Sequence, residues 1–219
     1  MNINDYILEE IKALSLQSSV SSAQELCGDL PITHIPVIDN HKLIGCYAEE
    51  DIQTIENADQ PLSEFTHLLH HFHVDKKATL LELIALFAEN DCNIIPVLDE
   101  QQNYIGYYEL RDILDVFADS PFMHKDNVTL VVSKSKTDFS MSQVSQIVES
   151  NKAKLLGLYV SKENADTVDV TLKIASEEMN EIIQTFRRYD YNVISQLEDD
   201  MYLEELKDRA NYFRKYLDM

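Results

Sequence analysis

The chain is short of glycine, cysteine and positive charge, and each shortage excludes something. Four glycines among 219 residues leave no Gly-rich loop to cradle a phosphate, and neither a GxSxG nor an HExxH motif is present. Carboxylates are so abundant that no particular pair stands out for acid–base work. The three cysteines, Cys27, Cys46 and Cys92, are odd in number and lack CxxC spacing, which argues against a disulfide framework or a zinc ribbon. Lysine and arginine total 18 against 39 Asp and Glu, a formal charge of −21. Residues 1–125 alone hold 22 acidic and 6 basic side chains, net −16, and such a surface repels a phosphate backbone, so no nucleic-acid partner is expected. No apolar run approaches the ~20 residues that cross a bilayer, and the opening MNINDYILEE lacks the basic and apolar regions of a signal peptide. A cytoplasmic protein without a membrane partner is expected.

What the sequence does contain is a repeat. His34-Ile35-Pro36-Val37-Ile38-Asp39, then Gly45 and Asp51, recurs as Ile94-Ile95-Pro96-Val97-Leu98-Asp99, then Gly106 and Asp112. The offset grows from 60 to 61 between the first Asp and the Gly, so one residue was gained where a turn belongs. Units repeated at a fixed period usually cannot bury their apolar faces alone, which predicts a pseudo-twofold pair packed along a seam. Aligning the copies sets Cys27 opposite Phe87, Cys46 opposite Tyr107 and Cys92 opposite Ile32, so the cysteines read as small core residues.

Each copy opens with a helix, marked by Val20, Ala23 and Cys27 or by Leu80, Leu83, Ile84 and Phe87 at helical spacing. Ser19 and Thr79 are its expected N-caps. Two short strands joined by a turn at residues 39–42 or 99–103 predict a hairpin. A second helix is expected to open at Asp51 or Asp112 and to cover residues 51–55 or 112–118.

Beyond Pro121 the pattern changes. Strands are expected at 128–133, 154–161, 167–175 and 191–196, with helices at 142–151 and 177–189, which is the βαββαβ order of a ferredoxin-like sandwich. Within 167–175, Asp169, Thr171 and Lys173 alternate with Val168, Val170, Leu172 and Ile174, the mark of a strand with one wet face. A tail from Asp199 carries Leu203, Leu206, Ala210, Phe213 and Leu217 as a helical stripe, and Ile3, Ile7, Ile11 and Leu14 make a shorter one at the start. Both are expected to pack on the chain itself or on a dimer mate.

The paired HIPVID and IIPVLDE segments, with the Gly and Asp that follow each, resemble tandem CBS domains, and the βαββαβ unit resembles an ACT domain. The arrangement is similar to the acetoin-utilisation protein family. The resemblance implies an α+β protein of four parts: CBS repeat 1 over 1–65, CBS repeat 2 over 66–125, an ACT-like ferredoxin fold over 126–198 and a C-terminal amphipathic helix over 199–219. It further implies a non-catalytic regulatory module acting as a homodimer on an unknown protein partner, with a small adenosyl ligand (AMP, ATP or S-adenosylmethionine) in the cleft between the repeats. The cofactor-binding residues it implies are Ile35, Pro36, Asp51, Ile95, Pro96, Arg111 and Asp112. Ile35 and Ile95 would line a base pocket, the two aspartates would take ribose hydroxyls, and Arg111 or Lys76 would supply a counter-charge.

The residues at these positions depart from the ligand-binding pattern in one respect. The hydroxyl residue that should stand three before each Asp is Ala48 in one copy and Glu109 in the other. Neither favours a phosphate, so a nucleoside or a weakly charged adenosyl compound is the better match. An acid at a helix start is also favoured by capping and by the helix dipole without any ligand. The loop after the first strand of the ACT-like unit, 133–140, contains no glycine for close backbone approach to an amino acid. Asp138 there reads as a turn acid, and the domain as a dimerisation or interaction unit. His67 with His70 or His71 has the spacing of a metal pair if the segment is helical.

Overall fold

The computed structural model describes residues 2–176 and 178–195; the tail stripe from Leu203 to Leu217 lies outside them. The chain divides between Phe117 and Ala118 into two compact units.

In the first unit each repeat has the same four elements: α1 (Val20–Asp29), β1 (His34–Asp39), β2 (Lys42–Ala48) and α2 (Glu49–Gln53). Two short strands, β3 (Leu69–His70) and β4 (Val74–Asp75), lead into α3 (Leu80–Glu89), β5 (Ile94–Leu98), β6 (Tyr104–Glu109) and α4 (Leu110–Ala118). The predicted caps are in place. Ser19 accepts the amide of Ser22, and Thr79 forms a capping box with Glu82, each occupying backbone N–H groups that a helix start leaves unpaired. Those hydrogen bonds from Thr79 hold the Glu82 carboxyl below its ordinary range.

The hairpins account for the one-residue offset. Asn40 and His41, both at positive φ, make a two-residue turn whose twist suits an antiparallel pair. The second turn is longer by one and places Gln102 at φ 62, while the Asp99 carboxylate accepts the amides of Gln101 at 2.8 Å and Asn103 at 2.7 Å. Both hairpins slip register at the same point, between Val37 and Ile38 and between Val97 and Leu98.

Short lead segments interlock the repeats. Leu14 lies parallel to Val37 of its own repeat, yet Leu8 pairs antiparallel with Tyr107 of the other. Correspondingly, β4 pairs parallel with β5, whereas β3 pairs antiparallel with β2 of the first repeat. The conserved spacing of Gly45 and Gly106 between the copies follows from this exchange. A Cβ on Gly45 would stand 2.9 Å from the His70 carbonyl oxygen, and one on Gly106, whose φ is +135°, would stand 2.4 Å from that of Leu8. The cores exchange residues too: Ile94 and Tyr107 sit in the cluster of the first repeat, and Cys46 sits in that of the second.

Three local expectations are corrected. Residues 3–14 are not one helix; a 3-10 turn at Ile3–Tyr6 gives way to extended chain. Ile3 and Ile7 therefore reach the second repeat's core while Ile11 and Leu14 join the first. The second helices start two residues early, at Glu49 and Leu110, because the carbonyls of Thr33 and Asn93 accept those two amides. His70 lies on β3, after the 3-10 segment Leu62–Leu68, so His67, His70 and His71 do not share a helix face. All three cysteines are buried and free, as the alignment of copies predicts. Burial pushes the Cys27 and Cys92 thiols up to about 11 and Cys46 higher still.

The second unit contains β7 (Val128–Ser135), α5 (Met141–Ser150), β8 (Lys154–Glu163), β9 (Thr167–Ala175), α6 (Met179–Arg188) and β10 (Asn192–Val193). Its strands pair antiparallel in the order β10-β7-β9-β8, the topology of a ferredoxin-like sandwich. Burial alternates along β9 as its sequence predicts. Val144, Ile147, Ile182, Ile183 and Phe186 cover the inner face of the sheet.

Candidate functional site

The seam between the repeats is built on one pair of equivalent residues, Thr33 and Asn93. The Thr33 amide and hydroxyl both donate to Asn93 Oδ1, at 2.9 and 3.0 Å, and the Asn93 amide donates back to Thr33 Oγ1 at 2.9 Å. Asn93 Nδ2 donates to the Pro31 carbonyl, which settles which end of the amide faces Thr33.

From Thr33 the hydrogen bonds continue into a cleft. His34 Nδ1 lies 3.1 Å from Thr33 Oγ1, and His34 Nε2 lies 3.2 Å from His70 Nδ1. His70 Nε2 then faces Asp51 Oδ2 at 3.9 Å. His34 is 4% exposed. Burial, with His70 beside it, lowers its pKa to about 4 although Asp51 and Asp91 pull the other way, so the ring is neutral at physiological pH. Phe72 meets it edge-on at 5.1 Å. The adjoining cleft encloses about 220 Å³ between Thr33, His34, Ala48, Glu49, Glu50 and Asp91. That is somewhat below the ~300–1,000 Å³ of common small-molecule sites. Its ionisable lining is acidic.

The residues implied by the family resemblance fall into two groups. Asp51 and Asp112 are both half-buried in the first turn of a helix, at equivalent places in α2 and α4. Arg111 is exposed beside Asp112. Ile35, Pro36, Ile95 and Pro96 are buried, and the two isoleucines, fully enclosed, are core members of their repeats. At the positions of the missing hydroxyl residues, Ala48 is buried and pairs with His34, while Glu109 is half-buried and pairs with Ile94. Sequence reasoning missed the line from Asn93 to Asp51. One signal was present: His34 stands where the other copy has an isoleucine.

In the second unit, Asp138 accepts the Ser135 hydroxyl at 2.6 Å, as expected of a turn acid. The nearby Lys134 ammonium donates to Gln143 Oε1 and to the Tyr189 carbonyl and lies 4.4 Å from the Tyr191 ring centre. Among the described residues no helix is long and apolar enough to cross a membrane.

Comparison with known proteins finds similarities over about half of the chain. The CBS domain family matches residues 62–119. An uncharacterized protein of Methanocaldococcus jannaschii is 22% identical over 120 residues, which are 54% of this chain and 40% of that protein. Among solved structures, a CBS domain pair/ACT domain protein of Thermotoga maritima is similar over 55% of this chain and 99% of its own, with TM-score 0.49 and 17% identity. CBSX2, solved in complex with AMP, is similar over 53% of this chain and 95% of its own, with TM-score 0.43 and 19% identity. Residues 62–119 match the CBS domain family, and the first repeat has the same elements in the same register, so the second repeat resembles a CBS domain and the first repeat shares its fold.

Proposed function

We propose that this chain is a non-catalytic cytosolic regulatory module whose CBS pair senses a small adenosyl ligand between its repeats. The observation that carries this reading is the retention of Asp51 and Asp112 at equivalent, half-buried places in the first turns of α2 and α4. A carboxylate there suits a ribose, because an ionised Asp accepts hydrogen bonds and donates none. The chemistry around Asp51 narrows the ligand. Glu49, Glu50 and Asp91 line the cleft with no lysine or arginine beside them, so a polyphosphate is disfavoured relative to a nucleoside or a cationic adenosyl compound such as S-adenosylmethionine. The fully buried Ile35 and Ile95 leave base contact to the cleft rim or to a repacked core.

Signalling would be linkage: a ligand shifts the arrangement of the pair only by its differential affinity for the two states. Leu81 on α3 and Leu114 on α4, 68% and 46% exposed, supply apolar contact for a homodimer. The ACT-like unit adds a second association surface.

Thermal-shift measurements with AMP, ADP, ATP and S-adenosylmethionine test the reading, because a ligand specific to the folded state raises the melting temperature. S-adenosylmethionine or AMP is expected to stabilise the protein more than ATP, and Asp51→Ala to abolish part of the shift. No shift with any of the four favours the second reading, an interaction module with unused clefts. The small volume of the cleft supports that alternative.

A further inference from the structure

Gly157 on β8 stands where no backbone demand calls for glycine. Its φ lies outside the left-handed region, unlike that of Gly106. The register slip beside it, between Leu155 and Gly157, needs no glycine when that φ is absent. Gly157 pairs with Lys173, on the wet face of β9, whose alternate residues Leu172 and Ile174 are buried in the core with α5 and α6. Almost any side chain suits an open strand position of this kind better than glycine, which packs nothing and loses more chain freedom on folding.

What excludes a side chain there is Phe122. A Cβ on Gly157 would stand 2.6 Å from Cδ2 and 2.9 Å from Cε2 of that ring. The ring also lies 6.4 Å from that of Tyr159, two residues further along the strand. Phe122 is half-buried and does not belong to the core cluster on the other side of the sheet. The turn that carries it is bonded within itself. The Met123 amide donates to the Ser120 carbonyl at 3.0 Å, and Asn127 Nδ2 donates to that of Pro121 at 3.1 Å. Only Asp119, Ser120 and Pro121 separate Phe122 from Ala118, the last residue of α4. Three residues reach at most ~10 Å, and proline stiffens one of them. The same short helix carries Asp112 in its first turn.

We propose that Phe122 is a latch: seated on the bare backbone of Gly157, it clips the chain leaving α4 to the wet face of the second unit's sheet. A shift at the end of α4 then reaches β8 instead of being absorbed in a slack linker. Compact units joined by a chain move independently unless something ties them, and a ring in van der Waals contact with backbone is such a tie. Because the contact lies outside the core, it opens without unfolding either unit, which gives the connector the two arrangements that a relay needs. The latch is a property of the chain without ligand, so it stands or falls separately from the adenosyl reading.

The test uses full-chain variants with no ligand added. In native-state hydrogen exchange, Phe122→Ala is expected to speed exchange about ten-fold or more in residues 115–118 and in residues 155–160 together, leaving residues 128–133 unchanged. Trypsin should cut after Lys125 about ten-fold or more faster in this variant than in the native chain. Gly157→Ala, whose Cβ displaces the ring, should open the same two segments and lower the melting temperature by about 4–8 °C. In the Phe122→Ala background the same substitution should be neutral or stabilising, because the clash has gone. Circular dichroism verifies folding, and the double variant, free of the clash, serves if Gly157→Ala alone does not fold. Equal cost of Gly157→Ala in both backgrounds overturns the proposal. So does faster exchange confined to β8, since the ring then only packs on the strand and ties nothing to α4.

Discussion

Thr33 and Asn93 are the same position in two copies of one unit, and they hydrogen-bond to each other across the pseudo-twofold seam. Their carbonyls do a second task, receiving the first amides of α2 and α4. One pair of residues thereby fixes both the junction of the repeats and the entry of the helices that carry Asp51 and Asp112.

Replacing Asn93 with Ala should destabilise the first unit by about 1–3 kcal/mol, because the Thr33 amide and hydroxyl lose their acceptor in a half-buried place. Urea unfolding measures it. A loss below ~0.5 kcal/mol would mean that water substitutes fully and that the pair does not hold the seam.

Gly106→Ala should cost more than Gly45→Ala. The first combines a left-handed backbone with a 2.4 Å approach to the Leu8 carbonyl, whereas the second meets the His70 carbonyl at 2.9 Å without that backbone. A loss of roughly 2 kcal/mol or more is expected for Gly106→Ala. Equal and small effects in thermal unfolding would contradict the interlocked pairing of Leu8 with Tyr107.

The three thiols should react slowly with a disulfide reagent at pH 8 in the native protein and all react quickly in denaturant. Cys27 and Cys92 are raised to about 11 and Cys46 further, so the native thiolate fraction at pH 8 is on the order of one in a thousand or less. A fast native phase from any single cysteine would show that its core opens.

Acid should weaken the protein through His34. The native ring resists protonation down to about pH 4, whereas the unfolded ring takes its proton near 6.5. Between those values the unfolded state binds more protons, so stability is complete above 6.5 and declines as the pH falls toward 4. A loss on the order of 2 kcal/mol is expected between pH 7 and pH 4.5. Urea unfolding at pH 7 and pH 4.5 checks it, and His34→Ile should lack this part of the decline.

Much of this architecture was written in local chemistry. Helix caps at Ser19 and Thr79, a turn at Asn40 and His41, the gained residue at 100–102 and the alternation along β9 depend on neighbours a few residues apart, and such patterns survive in a single sequence. The duplicated Pro-Val-Ile/Leu-Asp unit did more, because comparing the copies exposed cysteines in core positions. The lead segments were illegible for the opposite reason. Ile3, Ile7, Ile11 and Leu14 have helical spacing, but their apolar partners lie about a hundred residues away in one case and about twenty in the other. Tertiary burial therefore overrode the local period.

The amino-acid order alone determined the elements, the repeat and the place of both helix-start aspartates, since each rests on short-range backbone preference or on self-similarity. Only the folded structure decided which repeat each lead strand joins, and with it that His70 meets His34 and Asp51. A strand has two edges to offer, and nothing in its own residues says which neighbour will take them. That choice is made by the packing of both cores at once, when Gly45 and Gly106 admit a carbonyl that no side chain would allow.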